Sequence, residues 1–121
     1  MGQSKLIGML ACLAILFLTM ITGCGDDENH EPVANAGSDV NALVGETVTL
    51  DGSLSTDSDG DQIQYTWMFF SVPQDSNATL SNPFSATPTF IVDKEGDYVV
   101  NLVVFDGLES NQDSVTVTGI R

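Results

Sequence analysis

The fold is decided by residues 97–105, which read DYVVNLVVF. Counting from Tyr98, every second residue is large and apolar, and Asp97 and Asn101 fall on the other positions. A period of two over this length is typical of a β-strand with one face in a core. We expect four side chains to point inward: Tyr98, Val100, Leu102 and Val104.

Shorter stretches of the same type lie on both sides, separated by Gly, Asp, Ser and Asn. We predict an interrupted first strand over 33–36 and 39–43, and further strands at 46–51, 63–70, 77–80, 87–92 and 113–118. After Cys24 there is no sustained period of 3.6, which an amphipathic helix would require. About seven short strands predict an all-β chain folded as an immunoglobulin-like β-sandwich.

Two aromatic residues are expected to hold the core of this sandwich. Trp67 lies in the third predicted strand, where a lone tryptophan commonly fills the centre. Tyr98 follows residues 93–97 at the start of the longest late strand, which is the position of a tyrosine corner. In that motif the hydroxyl bonds to backbone a few residues upstream, so we assign both residues structural roles.

A different kind of segment precedes the β-rich part. Lys5 is followed by an apolar run over residues 6–21, which is shorter than the roughly 20 residues of a membrane-spanning helix. Small residues then come directly before Cys24, which is the layout of a secretory signal peptide. The alternative is an uncleaved N-terminal anchor.

The sequence Ile21-Thr22-Gly23-Cys24 resembles the lipobox of bacterial lipoproteins. The resemblance implies cleavage before Cys24, lipid on its thiol and acylation of the new amine. We therefore predict a signal peptide over 1–23, the lipidated cysteine and a flexible acidic tether over 24–31, and one domain over 32–121. The membrane is then a partner of the chain through the lipid on Cys24.

Charge and residue usage exclude several classes of function. All 17 acidic residues follow Cys24 and the formal net charge is −14, so phosphate backbones are repelled and a nucleic-acid partner is excluded. Cys12 leaves with the signal peptide and Cys24 carries lipid, which excludes a disulfide or a cysteine metal site. The single histidine, His30, lies in the predicted tether, so a Ser-His-Asp triad cannot form in a rigid pocket. We therefore expect that the protein is not an enzyme.

The acidic residues form a cluster in one predicted loop. Asp57, Asp59 and Asp61 occupy every second position around a turn, and carboxylates at this spacing suit Ca²⁺. Because loops from one end of an immunoglobulin-like sandwich converge, we expect Asn29 and Asp106 to lie beside them and complete a candidate Ca²⁺ site. The alternative is that these side chains cap turns by accepting nearby N–H groups.

Several short motifs occur in the order of a known family: NHEPVANAG at 29–37, GETVTLDGS at 45–53, DSDGD at 57–61, YTW at 65–67, GDY at 96–98 and VFDG at 104–107. Together they resemble the PKD (polycystic kidney disease) domain over residues 29–119. One departure is FFSVPQDS at 69–76, which replaces a Gly-Asp-Gly turn and is typical of the PKD-like variant. The resemblance implies a non-catalytic sandwich used outside the cell for adhesion, spacing or contact with protein or polysaccharide, with calcium held at this end in some members.

These expectations combine into one predicted function: a lipid-anchored binding, adhesion or spacer module of the cell envelope. Gly25, where an Asp would argue for inner-membrane retention, favours the periplasmic or outer-surface side of the outer membrane by resemblance to enteric lipoproteins. Phe69, Phe70 and Phe84 are candidates for sugar contact, although Phe69 suits the core better, and Phe84 is expected at the end opposite the acidic residues. The alternative is a structural part of an envelope assembly, in which an edge strand at 113–118 pairs with a partner sheet.

Overall fold

The computed structural model describes residues 28–121. These residues form six strands: β1 (Val40–Leu43), β2 (Thr47–Thr49), β3 (Gln64–Ser71), β4 (Thr89–Ile91), β5 (Gly96–Phe105) and β6 (Ser110–Ile120). A four-stranded sheet has the order β1-β6-β5-β3, and β2 pairs with β4 in a second sheet. The pair β1–β6 is parallel and the other pairs are antiparallel. The predicted all-β, immunoglobulin-like sandwich is confirmed.

The predicted signal peptide and the predicted lipidation site, Cys24, lie outside the described residues. Within residues 28–121, no helix has the length and apolar character needed to cross a membrane.

The core lies between the two sheets and is built mainly from β5. The four side chains predicted to point inward from β5 are fully buried, as the period of two requires. Val115 and Val117 of β6 extend this apolar layer, and Val48 and Phe90 cover it from the second sheet. The Phe90 ring lies 5.3 Å from that of Tyr98 and 5.1 Å from that of Phe69, in the tilted and edge-to-face arrangements that aromatic pairs favour.

Trp67 packs at the centre of this core, where it is 2 % exposed. Its indole N–H donates to the carbonyl of Ser85 at 3.0 Å, so the buried polar atom is satisfied. The ring lies directly on Gly52: a Cβ there would stand 2.8 Å from Cζ2 of Trp67 and 2.9 Å from Cδ2 of Leu102. Gly52 is therefore required by close packing rather than by a turn.

The tyrosine corner has the geometry that the sequence suggests. The hydroxyl of Tyr98 accepts the N–H groups of Asp93 and Lys94, at 3.1 and 2.8 Å. It donates to Oδ1 of Asp93 at 2.6 Å. Asp93 also accepts the Ser76 hydroxyl and the Asn77 N–H, both at 2.7 Å. One carboxylate thus ties the start of β5 to the connection that follows β3.

Two predicted strands are wrong in detail. Residues 33–36 contribute only an isolated bridge between Val33 and Thr56, and residues 77–80 form no strand. Asp75 and Asn82 have φ angles of 66° and 57° on either side of 77–80, and the Asn77 N–H is taken by a side chain. The backbone there bends twice and has no ladder partner, so only the neighbouring Ser81 bridges to Thr89.

The strand predicted at 113–118 is present within β6, but its predicted position at the edge of a sheet is wrong. β6 pairs with β5 along its length and with β1 over Val117–Ile120. Beside its first half, Asn111 and Asp113 accept the N–H groups of Ala34 and Ala36 through their side chains. β6 is thus covered on both sides, and the edges of this sheet are β1 and β3.

Candidate metal centre and contact surfaces

Three chain segments meet at one end of the sandwich. They are residues 29–30, the loop 57–61 before β3, and the loop 106–109 between β5 and β6. The Asn29 amide donates to Asp106 at 2.9 Å and to Glu109 at 3.1 Å. His30 donates its backbone N–H to Oδ2 of Asp59 at 2.6 Å, and its Nδ1 lies 2.9 Å from Oδ1. The five residues predicted for the calcium site therefore share one end of the domain.

Three of these five residues form a cluster of carboxylates. Asp57, Asp59 and Asp61 each offer a carboxylate oxygen, and the three oxygens lie within 4.8 Å of each other. Two oxygens on opposite sides of a Ca²⁺ ion are separated by about 4.8 Å, since each bond is about 2.4 Å. The loop therefore has the dimensions of a Ca²⁺ site.

The loop is shaped by its own hydrogen bonds. Oδ1 of Asp57 accepts the N–H groups of Asp59 and Asp61, at 2.8 and 3.4 Å, and Gly60 turns the chain at a φ of 76°. Oδ2 of Asp57 is buried and has no hydrogen-bond partner among residues 28–121. A buried oxygen without a donor costs free energy, and a cation would satisfy it. The turn-capping alternative accounts for Oδ1 but leaves Oδ2 unexplained.

Asn29 and Asp106 are placed beside the cluster rather than in it. Oδ1 of Asp106 accepts the N–H groups of Leu108 and Glu109, at 2.8 and 2.7 Å, while Oδ2 accepts Asn29. These bonds, led by the Glu109 N–H, lower the pKa of Asp106 to about 2. Toward Asp106 and Glu109, Asn29 presents its amide N–H groups, which donate hydrogen bonds and do not coordinate a cation. Both residues therefore close this end of the domain by hydrogen bonding.

The charges of the three loop carboxylates are compensated unequally. Hydrogen bonds from the backbone and ring of His30 hold the pKa of Asp59 below its ordinary value. Burial, and then repulsion from Asp57, Asp59 and Asp106, raises the pKa of Asp61. A bound cation would relieve the repulsion that neighbouring carboxylates exert on Asp61. The donor set fits Ca²⁺, with Asp57 and Asp61 offering the least engaged oxygens.

Sequence reasoning missed the part that His30 plays at this end. The predicted tether, 24–31, includes His30, yet the residue is fastened to Asp59 by two contacts. The same contacts raise the pKa of His30, first through the hydrogen bond and then through the charge of Asp59. No sequence motif indicates this pairing, because the partners are 29 residues apart and meet only through the fold.

A second notable surface is the outer face of the four-stranded sheet. It is formed by alternate residues of β3, β5 and β6, and among these residues only Asp97 is charged. The residues are Gln64, Thr66, Met68, Phe70, Asp97, Val99, Asn101, Val103, Phe105, Gln112, Ser114, Thr116 and Thr118. Phe70 is 72 % exposed and Met68 is 50 % exposed. In a chain of net charge −14, a face with one charged side chain repels an approaching anionic partner less than the acidic loops do.

Comparison with known families agrees with this architecture. The sequence model of the family described as K319L-like, PKD domain matches residues 36–118. The chain belongs to this family. Its members are non-catalytic domains, and PKD-like domains are typically extracellular adhesion or spacer modules.

Solved structures place the fold among other PKD domains. The PKD domain of the KIAA 1837 protein is 30% identical, with a TM-score of 0.62, and the match covers 80% of this chain and 91% of that one. The PKD domain of human KIAA0319 superposes with a TM-score of 0.61 over 84% of this chain and 91% of that one; at 18% identity it supports the fold alone.

A larger protein also contains a similar domain. A nucleoside hydrolase-related protein of Saccharophagus degradans, associated with carbohydrate metabolism, is 26% identical with a TM-score of 0.67. The match covers 76% of this chain but only 26% of that protein. This PKD domain therefore corresponds to about a quarter of that protein.

Proposed function

We propose that the chain is a lipoprotein anchored through Cys24, whose PKD domain serves as a binding, adhesion or spacer module on the extracytoplasmic side of the outer membrane. The observation that carries the proposal is the small number of residues between the lipobox-like sequence and the first residue that is bonded to the domain. Asn29 is already bonded to Asp106 and Glu109. Five residues of extended chain reach about 18 Å, so a lipid on Cys24 would hold the acidic end of the domain close to the membrane.

The anchor can be tested with the two cysteines of the chain. In a bacterial host fed a labelled fatty acid, we expect the chain to take up the label and to sediment with membranes. Cys24→Ser should abolish both, because the lipid needs that thiol, whereas Cys12→Ser should change neither. Membrane association that survives in Cys24→Ser would support the uncleaved N-terminal anchor and contradict lipidation.

The acidic end is proposed to bind Ca²⁺ through Asp57, Asp59 and Asp61. A ligand that binds only the folded state raises the melting temperature, and extracellular Ca²⁺ modules bind with a Kd of about 10⁻⁴ to 10⁻³ M. At about 10 mM Ca²⁺ we expect a rise of about 5–10 °C or more. Asp57→Asn should remove it, while Asp75→Asn, an exposed control outside this loop, should retain it. An unchanged melting temperature in the parent chain would rule out the site.

For the contact itself, we propose that the outer face of the four-stranded sheet binds an envelope protein or a polysaccharide. The combination of exposed Phe70 with amide and hydroxyl side chains suits hydrogen bonding and stacking on a neutral polymer. Retention on insoluble envelope polysaccharide should fall in Phe70→Ala and persist in Phe84→Ala. Equal retention of both variants and the parent would show that this face is not the contact.

A second candidate is a structural role in an envelope assembly through edge-strand pairing. What favours it is the free edge of β3, since β6 is covered on both sides. A stoichiometric protein recovered after cross-linking in envelopes would support this function, and recovery of polysaccharide alone would support the first.

A further inference from the structure

In the first half of β3, some backbone N–H and C=O groups point away from β5, toward the open edge of the sheet. The N–H of Trp67 donates to the carbonyl of Pro83 at 2.8 Å, so the Trp67 backbone faces the open side rather than β5. Alternate residues of an antiparallel strand face the same side, which places the N–H and C=O of Tyr65 on the open side too. Among residues 28–121, no strand pairs with β3 there.

A groove runs beside these backbone groups. We call it the edge groove: its volume is about 580 Å³ and it is lined by residues 62–66 and Phe84. Ile63 and Tyr65 form a half-buried apolar floor that packs on the core, while Phe84 is 74 % exposed. This position also corrects the expectation for Phe84, which lies beside the half of β3 that follows the acidic loop and not at the opposite end.

The two halves of β3 differ in how they are protected against pairing. Sheet edges are usually guarded by charges, prolines, bulges or a covering loop. The second half has a bulge between Phe69 and Ser71, and the segment at Pro83 covers the middle of the strand at Trp67. The first half offers Gln64, Tyr65 and Thr66, which are uncharged and regular. The open edge is therefore confined to the part that borders the edge groove.

The charge around the edge groove indicates what kind of segment fits. Asp61 directly precedes Gln62 at one end, with Asp57 and Asp59 in the same cluster. A second copy of the chain would bring an equal negative charge, whereas a basic segment is attracted. The rim residues Gln62 and Gln64 can donate and accept hydrogen bonds along the rest of the groove.

We propose that the edge groove binds an extended, basic segment of a partner polypeptide as an added strand. The segment pairs with β3 at residues 63–66, places an apolar side chain against Phe84 and directs a lysine or arginine toward Asp61. The backbone bonds supply affinity, while Phe84 and the acidic loop supply specificity. The inference rests on the second candidate function and identifies the surface and the class of partner that it requires.

The probe for a test is a synthetic ten-residue peptide of alternating threonine and valine with an arginine at each end. It is titrated against the full chain in detergent with a calcium chelator. We expect saturable binding with a Kd below about 1 mM. In NMR-detected hydrogen exchange, the Tyr65 amide should exchange rapidly in the free chain and at least tenfold more slowly with the peptide, since a new bond protects it.

Matched controls separate strand pairing from other kinds of binding. The same peptide with alternate amides N-methylated, which cannot pair, should lose the affinity. Phe84→Ala should weaken binding about tenfold, and Phe70→Ala, equally exposed but on the sheet face, should leave it unchanged. Exchange at Tyr65 is measured in the unmodified chain, so this readout does not depend on a variant that folds poorly.

Several outcomes would overturn the proposal. They are no saturation at millimolar peptide, equal binding of the N-methylated peptide, or loss of binding in Phe70→Ala rather than in Phe84→Ala. Protection of Tyr65 that appears with chain dimerisation and without peptide would assign the edge to a second copy instead. If cross-linking in envelopes recovers a stoichiometric protein but the peptide does not bind, the second candidate function stands and the edge groove is overturned as its surface, so the two failures are distinguishable.

Discussion

Replacing Tyr98 by phenylalanine removes a single oxygen atom from the tyrosine corner. The ring remains between Phe69 and Phe90, whose centroids lie 6.2 and 5.3 Å from that of Tyr98, so the core loses no apolar contact. What is lost is the acceptor for the N–H groups of Asp93 and Lys94 and the donor to the Asp93 carboxylate. The substitution therefore isolates the hydrogen bonds from the packing.

The size of the effect follows from the groups left without partners. A net intramolecular hydrogen bond contributes about 0.5–1.5 kcal/mol, and a buried group left unsatisfied costs about 1–3 kcal/mol. With two N–H donors affected and partly reached by water, we expect the free energy of unfolding to fall by about 1–3 kcal/mol. For a domain of this size, that lowers the melting temperature by about 5–20 °C.

Urea unfolding followed by the fluorescence of Trp67, the single tryptophan, measures this change directly. The matched control is Tyr65→Phe, because Tyr65 is the other tyrosine and its ring is only half-buried. The control should change the free energy of unfolding by less than about 0.5 kcal/mol, the usual range for a change away from such features. A loss in Tyr98→Phe no larger than in the control, with unchanged m values, would refute the role given to the corner.

Three further predictions concern packing and charge. Gly52→Ala should destabilise the domain by about 1–3 kcal/mol in the same urea assay, because the new Cβ meets the Trp67 ring; an unchanged midpoint would show that the ring can move aside. Hydrogen bonds, of which that from Tyr98 is the largest cause, lower the pKa of Asp93 from 3.8 to about 2. The contribution of ionised Asp93 to the stability of the fold is therefore present above pH 3.8 and lost as pH falls toward 2. Urea midpoints measured across this pH window should fall less in Asp93→Asn than in the parent chain. Asp59 raises the pKa of His30 above 6.5, so the stability that this pair contributes is present below pH 6.5 and lost as pH rises through the raised value. NMR titration of this single histidine should show a lower pKa in Asp59→Asn than in the parent chain. An identical pKa in the two chains would contradict the contact.

Local pattern predicted the elements that are buried on one face. The period of two over 97–105 predicted β5 to within one residue at its start, and the strand predicted at 113–118 lies within β6, where Val115 and Val117 are buried. In both strands a shift by one residue would expose the apolar set to water, so the sequence specifies the register strongly. Trp67, predicted to fill the centre of the core from the third strand, is buried in β3.

The features that were missed depend on partners far away in the chain. Nothing in residues 113–118 indicates that residues 34–36 and β1 cover that strand, since those contacts join residues 77 apart. The anchoring of His30 by Asp59 is equally non-local. The convergence of the acidic loops could be predicted because it follows from the topology of the fold. The N–H groups of Leu108 and Glu109 that Asp106 accepts could not, because they depend on the local geometry of its loop.

The parallel pairing of β1 with β6 has a mechanical consequence. Val40 lies beside Val117 and Leu43 beside Ile120, so the two strands run side by side in the same direction. Tension between the segment before β1 and Arg121 would pull β1 from its first residue and β6 from its last, in opposite directions along one ladder. The bonds of that ladder would then be sheared together rather than opened one after another. A domain that spaces other molecules from a membrane would resist stretching through this four-residue contact.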